Sequence, residues 1–485
     1  MPKRNIFVVL VMIAVAAVSW LLRDRVGLGS RFAEVMGRIE GSYLEPVDRE
    51  QLFAAAMEGV FSRLDEHSAF VAGERRDRLE SLLDGEFGGV GLELAASGPD
   101  REIIVESPVL GGPAWHAGIA AGDVIRAIDG GSTRRMPLDE ATRLLRGSPG
   151  TPVTLSIARG SKAADGSPVR DVVVDDGAAG VVTDSVTDSV TDIVVTREIV
   201  QVESVLGDRR RPDGTWDWEV EGEPGVAYVR IAAFGERTAA ELGRVLADIE
   251  KRAQVAAGGG DGGVRGLVLD LRGNTGGLLS SAVEVCDLFL DEGVIVSTRG
   301  RADRDAAGDA ADADVAADAT PRDVRRATRG SVLATAPMAV LVDGLTASAA
   351  EVVAACLQDH GRARVVGSRS FGKGTVQTVT PLSDGSGLVK LTTAEYLRPS
   401  RENIHRRGDD DAAATWGVSP DRGCAITPTG RQLEAVAAWR RGRDVVPPKN
   451  APPAAASAEP ASHATLPLQV DPVLAAAIDA LGLRH

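Results

Sequence analysis

The stretch Ala339-Val-Leu-Val-Asp343-Gly-Leu-Thr-Ala-Ser348-Ala-Ala-Glu351-Val-Val-Ala-Ala-Cys-Leu357 joins two kinds of secondary structure. Its first four residues form a short apolar run that is typical of a buried strand, and the residues after Ser348 are typical of a helix. A glycine turn separates the two. Similar strand and helix runs alternate from Gly225 to about Pro420, as they do in α/β domains. The sequence therefore predicts an α/β domain in which Ser348 opens a helix directly after a strand.

Ser348 has two interpretations at this position. The pattern Ser348-x-x-Glu351 is typical of a capping box, in which a serine only satisfies helix N–H groups. The position also suits acyl transfer, because N–H groups at a helix N-terminus point outwards, and the N–H of Ala349 could stabilise an oxyanion beside the serine. This stretch alone does not decide between the two.

A serine nucleophile needs a base, and the histidines do not supply one. His360 follows on the same predicted helix, roughly 18 Å away at about 1.5 Å of rise per residue, which is too far for a hydrogen bond. Lys373 is the better candidate, because a neutral lysine amine accepts a proton and the glycines on either side permit close approach. Strand alternation after Lys373 places Gln377 on the same face as the lysine. We expect Gln377 to orient the amine.

The lysine segment also resembles a phosphate-binding P-loop. Gly367-Ser-Arg-Ser-Phe-Gly372-Lys373 matches the first seven positions of that motif. However, Gly374 stands where Mg²⁺ binding needs Ser or Thr, and a β-branched run follows where the phosphate-cradling helix should begin. The context therefore argues against an ATPase.

Together these segments resemble the carboxyl-terminal processing (tail-specific) serine peptidases, from about Phe32 to Asp421. The family's nucleophile segment is similar to Thr346-Ala-Ser348-Ala-Ala-Glu351, and its lysine segment to Phe371-Gly-Lys373-Gly-Thr-Val-Gln377, with the same spacing between them. The resemblance implies a Ser348/Lys373 dyad in which Gln377 supports the lysine. It also implies an α/β protease core of the ClpP/crotonase-like type.

A third segment is similar to the family's glycine turn. It reads Leu269-Asp270-Leu-Arg272-Gly-Asn-Thr275-Gly276-Gly277-Leu, with Thr275 in place of the more usual proline. The resemblance implies a second oxyanion donor from the backbone of Gly276 and Gly277. Asp359 matches a recurrent family aspartate, but it lies about 16 Å along the helix from Ser348, so we predict a structural role for it.

The segment Phe87-Gly88-Gly89-Val90-Gly91-Leu-Glu-Leu, with Pro113 to Ile125 after it, resembles the PDZ domain that this family places ahead of its protease core. Consecutive N–H groups in the turn from Gly88 to Gly91 could form a nest for a terminal carboxylate, while the following strand pairs with the peptide. The predicted peptide-binding residues are Gly88, Gly89, Val90 and Gly91. On the turn alone, a tight hairpin is the other interpretation.

The complete prediction is a mixed α+β multidomain protein. Its expected parts are a signal or membrane anchor (1–28), an N-terminal helical segment (30–73), a PDZ domain (84–160), a low-complexity linker (161–200), a serine protease core (201–425) with a disordered insert (301–329), and a C-terminal tail with a Pro/Ala linker (426–485).

Charge and the N-terminal sequence limit the partners and the location. Lys and Arg total 54 against 69 Asp and Glu, giving a net charge of −15, which works against nucleic-acid binding. The apolar run Ile6 to Leu22 after Lys3 and Arg4 is typical of an export signal and nearly long enough to span a bilayer. We expect an extracytoplasmic, periplasmic-side protein that this segment anchors to the inner or cytoplasmic membrane. The alternatives are a signal peptide cleaved near Ala14-Val15-Ala16 and a buried N-terminal helix. The three cysteines, Cys286, Cys356 and Cys424, suggest neither a disulfide framework nor a metal site.

The predicted function is that of a serine endopeptidase which recognises C-terminal tails through a PDZ domain and cleaves them with a Ser/Lys dyad. Its partners would be proteins or peptides with free C-termini, and no cofactor or metal is expected. The alternatives are a catalytically inactive PDZ scaffold and, less well supported, the P-loop ATPase. The sequence leaves open whether the protein is a homo-oligomer.

Overall fold

The structure, a computed structural model, divides into two compact units. One unit comprises Met1–Asp77 and Gln377–Thr392, and the other comprises Arg78–Val376 and Thr393–His485. The structure describes residues 27, 29–73, 76, 86–97, 101–159, 189–256, 263–301, 323–328, 330–407, 415–448 and 467–483.

The first unit is helical at its N-terminal end. Helix α1 covers residues 29–42, and α2 (Arg49–Phe61) begins at Asp48, whose carboxylate accepts the N–H of Glu50 at 2.8 Å. A short strand β1 (Ala69–Val71) then pairs antiparallel with residues 388–390. This agrees with the helical periodicity of the sequence between residues 30 and 73.

The second unit begins with a β-rich domain, where the sequence predicts a PDZ domain. Its main sheet has the strand order β3-β4-β5-β7-β8, with β6 paired to β5, and β2 pairs separately with β9. A core that includes Ile103, Ile125, Leu155 and Ile157 lies beneath this sheet. The elements of the domain are β2 (Glu86–Gly89), β3 (Leu92–Ser97), β4 (Glu102–Pro108), α3 (Pro113–His116), β5 (Val124–Ile128), β6 (Gly131–Ser132), α4 (Leu138–Leu145), β7 (Pro152–Arg159), β8 (Ser189–Thr196) and β9 (Glu198–Gln201).

The end of the expected linker belongs to this sheet. The sequence predicts a linker over residues 161–200, but residues 189–196 pair along the whole length of β7, and residues 198–201 pair with β2. The stretch is rich in β-branched residues, as in Ile193, Val194 and Val195, which favour a strand, and the neighbouring Thr/Asp/Ser repeat obscures this signal. Residues 161–188 lie outside the described ranges.

The predicted protease core contains a mostly parallel sheet of order β10-β13-β14-β17-β18. The pairs β13/β14, β14/β17 and β17/β18 are parallel, and β10 is antiparallel to β13. Every residue of β14 and of β17 is buried, as expected for strands covered on both faces. The five strands of this sheet are β10 (Val205–Leu206), β13 (Val226–Ile231), β14 (Gly266–Asp270), β17 (Met338–Val342) and β18 (Arg364–Gly367). Outside it, β11 (Arg209–Arg210) pairs with β12 (Trp216–Asp217), and β15 (Val294–Gly300) pairs with β16 (Asp323–Arg326) and with β20 (Leu388–Leu397). Strand β19 covers Thr375–Pro381.

Helices pack against both faces of this core sheet. One face carries α5 (Thr238–Ala256), α6 (Leu279–Asp287) and α7 (Ala349–Asp359), whose apolar residues join a single buried cluster. The other face carries residues from the expected C-terminal tail, which packs against Tyr228, Val268 and Leu341. The helices of that region are α8 (Gly430–Asp444), α9 (Pro467–Val470) and α10 (Pro472–Ala480).

One other expectation needs revision, and another falls outside the described residues. The end of the predicted insert 301–329 is ordered, because residues 323–326 pair with β15, while residues 302–322 lie outside the described ranges. In the ranges that the structure describes, none of the helices combines the length and apolar character required to cross a membrane. Residues 1–26 of the expected anchor lie outside those ranges.

Candidate active site

Ser348 lies at a strained turn between β17 and α7. Its φ is +56° and its ψ is −118°, a conformation that costs a residue with a Cβ on the order of 1–3 kcal/mol. A nucleophile on a sharp strand-to-helix turn has its oxygen presented beside the helix N-terminus. Ser348 itself is 7% exposed.

Asp343 shapes the loop that leads into this turn. One of its carboxylate oxygens accepts the N–H groups of Leu345 and Thr346, each at 3.0 Å, and also that of Gly273 at 3.0 Å. The same oxygen therefore ties the serine loop to the glycine turn. Thr346 adds a second link, because its hydroxyl donates to the carbonyl of Leu271 at 2.9 Å.

The glycine turn lies directly against Ser348. A β-carbon on Gly276, whose φ is +106°, would lie 2.8 Å from the Cβ of Ser348 and 3.1 Å from the nitrogen of Ala349. Only a glycine permits this approach. The N–H of Gly276 donates to the side-chain oxygen of the buried Asn274 at 2.8 Å. The sequence predicts that Gly276 and Gly277 are oxyanion donors. Of these two, only Gly276 donates its N–H to Asn274.

The carboxylate of Glu351 joins the serine segment to the lysine segment. One oxygen accepts the N–H of Ser348 and the N–H of Lys373, both at 2.8 Å. Because both hydrogen bonds end on the same oxygen, the backbone nitrogens of Ser348 and Lys373 are no farther apart than the sum of these two distances. The other oxygen accepts the Ser370 hydroxyl at 2.5 Å and the Gly372 N–H at 2.7 Å. The bond to Ser348 is one half of the predicted capping box, so capping and a role in the site are compatible.

The environment of Glu351 is buried and rich in neutral donors. The residue has no exposed surface, and burial raises the pKa of its carboxyl, opposed by hydrogen bonds from Ser370, Gly372, Ser348 and Lys373. Since an ionised carboxylate only accepts hydrogen bonds, its four donors match the charged form.

Lys373 precedes a strand. The residues from Thr375 to Pro381 form β19, which agrees with the sequence argument against a P-loop. A β-carbon on Gly374 would lie 2.3 Å from the nitrogen of His405, so a glycine is required beside the lysine. Gln377 falls in the other compact unit, where its amide nitrogen donates to Thr392 at 3.3 Å.

His360 and Asp359 lie at the far end of α7. The ring of His360 bonds the carbonyl of Val294 at 2.7 Å. Asp359 forms an ion pair with Arg398, with a distance of 2.9 Å from Nε to a carboxylate oxygen, and it accepts the N–H of Ser400 at 3.0 Å. These contacts support the sequence arguments that His360 is too distant to be the base and that Asp359 is structural.

The predicted peptide-binding turn differs from expectation. Gly88 and Gly89 belong to β2 and pair with Ile199 and Glu198 of β9, so they do not form a run of outward N–H groups. Val90 and Gly91, whose φ is +74°, form the connection to β3. Strand β3 is the end of its sheet order and pairs, within the described part of the chain, only with β4. This leaves its other edge available for an added strand.

Arg197 fixes the helix that accompanies that edge. It donates to the carbonyls of Leu144 and Leu145 at the end of α4, at 2.7 and 3.2 Å, and to the carbonyl of Pro152 at 3.0 Å. Cations are favourable partners for the last carbonyls of a helix. The helix is thereby tied to β7.

Three residues of the site escape sequence reasoning. Glu351 was considered only as a cap partner, and the hydrogen bond of Asn274 to the glycine turn has no periodic signal. Tyr396 is 5% exposed, and its backbone N–H donates to the carbonyl of Gly374, next to Lys373, at 2.8 Å. Within the described residues, no group of three or more His, Cys, Asp or Glu side chains is placed to hold a metal ion.

A serine on a strained turn at a helix N-terminus, beside a glycine turn and a lysine segment, defines a serine-type hydrolase site in an α/β core that follows a PDZ domain. The profile of Peptidase family S41 matches residues 225–422, and that of the PDZ domain matches residues 104–159.

Named relatives agree with these matches. The carboxy-terminal-processing protease of Bartonella bacilliformis is 35% identical over 78% of this chain and 73% of its own length. The carboxy-terminal processing protease CtpA of Bacillus subtilis is 30% identical over 76% of this chain and 65% of its own. A solved photosystem II D1 C-terminal processing protease is 27% identical and aligns with 84% of this chain and 90% of its own, at a TM-score of 0.40. The chain belongs to peptidase family S41 and is a C-terminal processing serine protease with a PDZ domain.

Proposed function

We propose that Ser348 is the nucleophile of this protease and that Lys373 is its general base. The observation that carries the proposal is the shared oxygen of Glu351, which accepts the N–H groups of both residues at 2.8 Å. A carboxylate that holds two distant segments together keeps the reacting groups in register, and such positioning supplies a large part of enzymatic rate enhancement.

The oxyanion of the tetrahedral intermediate would bind to the N–H groups of Ala349 and Gly277. Ala349 is the first residue of α7, so its N–H has no acceptor within the helix. Gly276, whose N–H is engaged by Asn274, contributes close approach rather than a hydrogen bond. This narrows the predicted set of Ala349, Gly276 and Gly277 to two donors.

The proposed reaction is acyl transfer in two steps. The Ser348 oxygen attacks the scissile carbonyl, its proton moves to the neutral Lys373 amine, and the lysine then passes that proton to the departing amine as the C–N bond breaks. Water next attacks the ester and gives a proton to Lys373, which returns it to the serine oxygen as that oxygen leaves. The free enzyme is restored with both protons accounted for.

The PDZ domain would capture the C-terminal tail of a substrate protein. The unpaired edge of β3 can accept an extended peptide as an added strand. The terminal carboxylate would then bind to the backbone at Val90 and Gly91. Gly88 and Gly89 would keep the preceding strand close to Gly147. A β-carbon on Gly88 would lie only 2.4 Å from the carbonyl oxygen of Gly147, so a glycine is needed there. Capture and cleavage would be separate events.

A cleavage assay tests the dyad. Purified Ser348→Ala and Lys373→Arg variants should both fail to cut a tail-bearing substrate, because an arginine remains protonated and cannot accept the serine proton. The matched controls Ser386→Ala and Lys251→Arg, at exposed positions, should cut at the parental rate. Parental activity in Ser348→Ala would refute the nucleophile, and parental activity in Lys373→Arg would refute the base.

A pair of peptides tests tail recognition. An amidated substrate should be cleaved more slowly than its free-acid twin, mainly through a higher KM, because the lost contact is remote from the reacting carbonyl. The inactive Ser348→Ala protein should likewise bind the free acid more tightly. Equal kcat/KM and equal binding for the two peptides would refute recognition of the C-terminal carboxylate. That result would not contradict the proposed Ser348/Lys373 dyad.

Residues 1–28 would export the protein and anchor it to the membrane. The apolar run from Ile6 to Leu22 behind Lys3 and Arg4 supports this. Cell fractionation tests it, because the full chain should sediment with membranes and a chain that starts after residue 28 should remain in the cytoplasm. An unchanged distribution would contradict the anchor.

A further inference from the structure

Asp471, at the start of helix α10, is bonded to the segment that carries the glycine turn. Its two carboxylate oxygens accept hydrogen bonds from Nη1 and Nη2 of Arg272, at 3.0 and 2.8 Å. Asp471 has no exposed surface, and the Arg272 side chain is 16% exposed. A bidentate pair between an arginine and a carboxylate fixes the orientation of the two partners as well as their distance. Helix α10 therefore holds Arg272 in one geometry.

Arg272 stands immediately before the turn that would bind the oxyanion. The next residue, Gly273, donates its N–H to the serine loop at 3.0 Å. The carbonyl of Asn274 then accepts the N–H of Ala347, beside the serine, at 2.9 Å. A displacement of Arg272 would therefore pass along a short, hydrogen-bonded stretch to Gly277, the proposed oxyanion donor.

Arg272 has a second carboxylate partner, and the two ion pairs differ in what they connect. Asp270 lies two positions earlier and accepts from Nε and Nη2 of the guanidinium. A pair this close in sequence joins neighbouring parts of one segment. Asp471 lies 199 positions away, in a region that packs on the face of the sheet opposite α7. The pair with Asp471 is thus the one that ties the glycine turn to a separate part of the domain.

Helix α10 is a firm point of attachment. The Asp471 carboxylate also caps the helix, accepting the N–H groups of Val473 and Leu474 at 3.1 and 3.0 Å. Leu474 and Ile478 have no exposed surface. The helix lies beyond residues 225–422, which match the family profile. The ion pair therefore connects the site to a part of the chain outside that match.

We propose that Asp471 is a positioning residue of this protease, which through its ion pair with Arg272 holds the glycine turn where the N–H of Gly277 meets the oxyanion. The inference rests on the proposed nucleophile and oxyanion donors. A donor stabilises the transition state only when it is aimed at the position where the negative charge develops. Asp471 exchanges no proton and forms no bond with the substrate, and its effect reaches the reaction through the backbone of the turn.

Asp471→Ser tests this role in the full chain. Serine caps a helix about as well as aspartate does, so the variant keeps the cap of α10 and loses both bonds to Arg272. Removing an oxyanion donor costs about 100-fold or more in kcat, and a displaced donor costs less, so we expect a fall of about 10-fold with KM unchanged. Asp471→Asn retains one side-chain oxygen for the guanidinium and should lose less, and it decides the question if Asp471→Ser does not fold.

A peptide aldehyde gives a readout that a purely structural role would not change. The Ser348 oxygen adds to the aldehyde carbon, and the aldehyde oxygen then occupies the oxyanion site. In Asp471→Ser the affinity for this inhibitor should fall by the same factor as kcat. Binding of an uncleaved free-acid peptide, measured with Ser348→Ala present in both proteins, should not change.

Two variants are the matched controls. Ile478→Val removes one methylene from the buried face of the same helix and should lower Tm while keeping the parental kcat and aldehyde affinity. Asp270→Asn removes the other charge beside Arg272 and leaves the pair with Asp471 in place, so its kcat should stay close to parental.

The outcomes separate the two proposals. If Ser348→Ala still cleaves peptides, the proposed nucleophile is wrong and the role of Asp471 falls with it. If Ser348→Ala is inactive while Asp471→Ser keeps the parental kcat and aldehyde affinity, only the Asp471 inference is overturned. Equal losses of kcat in Asp471→Ser and in either control, or a change confined to KM, would also overturn it.

Discussion

Two buried carboxylates in the protease core are held in opposite ways. Glu351, beside the serine, accepts one hydroxyl and three backbone N–H groups. Asp270, at the end of β14, accepts hydrogen bonds from Nε and Nη2 of the Arg272 guanidinium, the shortest at 2.6 Å, and one from the Tyr228 phenol. Burial alone would raise the pKa of both carboxyls. It does raise that of Glu351, whereas the cation and the phenol lower that of Asp270 to about 2.

The difference assigns the two carboxylates to different tasks. If the pKa of an acid falls on folding, the ionised acid stabilises the folded protein. If its pKa rises on folding, ionisation of the acid destabilises the folded protein relative to the unfolded chain. Asp270 therefore stabilises the fold. The charge of Glu351 costs stability at neutral pH, and what it provides is the placement of Ser348 and Lys373.

The largest expected effect comes from Glu351→Gln. An amide keeps the shape but has only one oxygen, so it cannot accept from all four donors, and the serine and lysine segments should shift apart. Misplacement of about 1 Å costs on the order of 100-fold in rate, and we expect a loss of that size in kcat. Peptide cleavage and circular dichroism together check this, because a folded variant with parental kcat would contradict the positioning role.

The same variant has a predicted pH dependence of stability. The folded pKa of Glu351 lies above its unfolded value, so its favourable contribution is present below the unfolded pKa and is lost as pH rises through the folded pKa. Since Glu351→Gln lacks this titration, its stability deficit should shrink as pH rises from about 4 towards 7. Urea titrations at both pH values measure it, and a deficit that grows would contradict the assigned direction.

The next effect in size is the loss of stability in Asp270→Asn. The folded pKa of about 2 lies below the ordinary value of 3.8, so this group's contribution is present above pH 3.8 and is lost as pH falls towards 2. A shift of this size corresponds to about 2 kcal/mol at pH 7. Urea unfolding should show that deficit at pH 7 and a smaller one near pH 3, with kcat close to parental. A deficit independent of pH would mean that the ion pair is not its source.

The smallest predicted effect concerns the strain at Ser348. Because φ is +56° there, Ser348→Gly should be more stable than Ser348→Ala by about 1 kcal/mol. Ser281, inside α6, is the matched control, and there the order should reverse, since glycine is about 1 kcal/mol worse than alanine within a helix. The same order at both positions would show that the turn stores no strain.

Local sequence patterns predicted the individual strands and helices better than they predicted the tertiary contacts between those elements. Apolar runs identified the strands Met338–Val342 and Gly266–Asp270, and the pattern from Asp343 to Glu351 placed Ser348 at the start of a helix. Spacing along the chain could also show that His360 lies too far from Ser348. Each of these inferences uses residues that are close in sequence.

The parts that sequence reasoning missed depend on tertiary contacts. Glu351 bonds residues 19 to 22 positions away, and the N–H of Tyr396 bonds the carbonyl of Gly374, which lies 22 positions earlier, so no periodicity reports either. The carboxylate nest at Gly88 and Gly89 was inferred from glycine content, which is equally compatible with the strand that forms there. The tail was predicted as a separate segment because its short apolar helix gives no indication of its packing partner.

The helix Pro472–Ala480 has a consequence for how this protease avoids self-digestion. Asp471, which has no exposed surface, caps the helix at the N–H groups of Val473 and Leu474 and pairs with Arg272 at 2.8 Å. Val473, Leu474 and Ile478 are buried in the core. A protease engages extended backbone, and releasing this helix would expose that apolar face and leave Asp471 without its ion pair. The fold thus makes this segment of the enzyme a poor substrate for a neighbouring copy for as long as the helix stays packed.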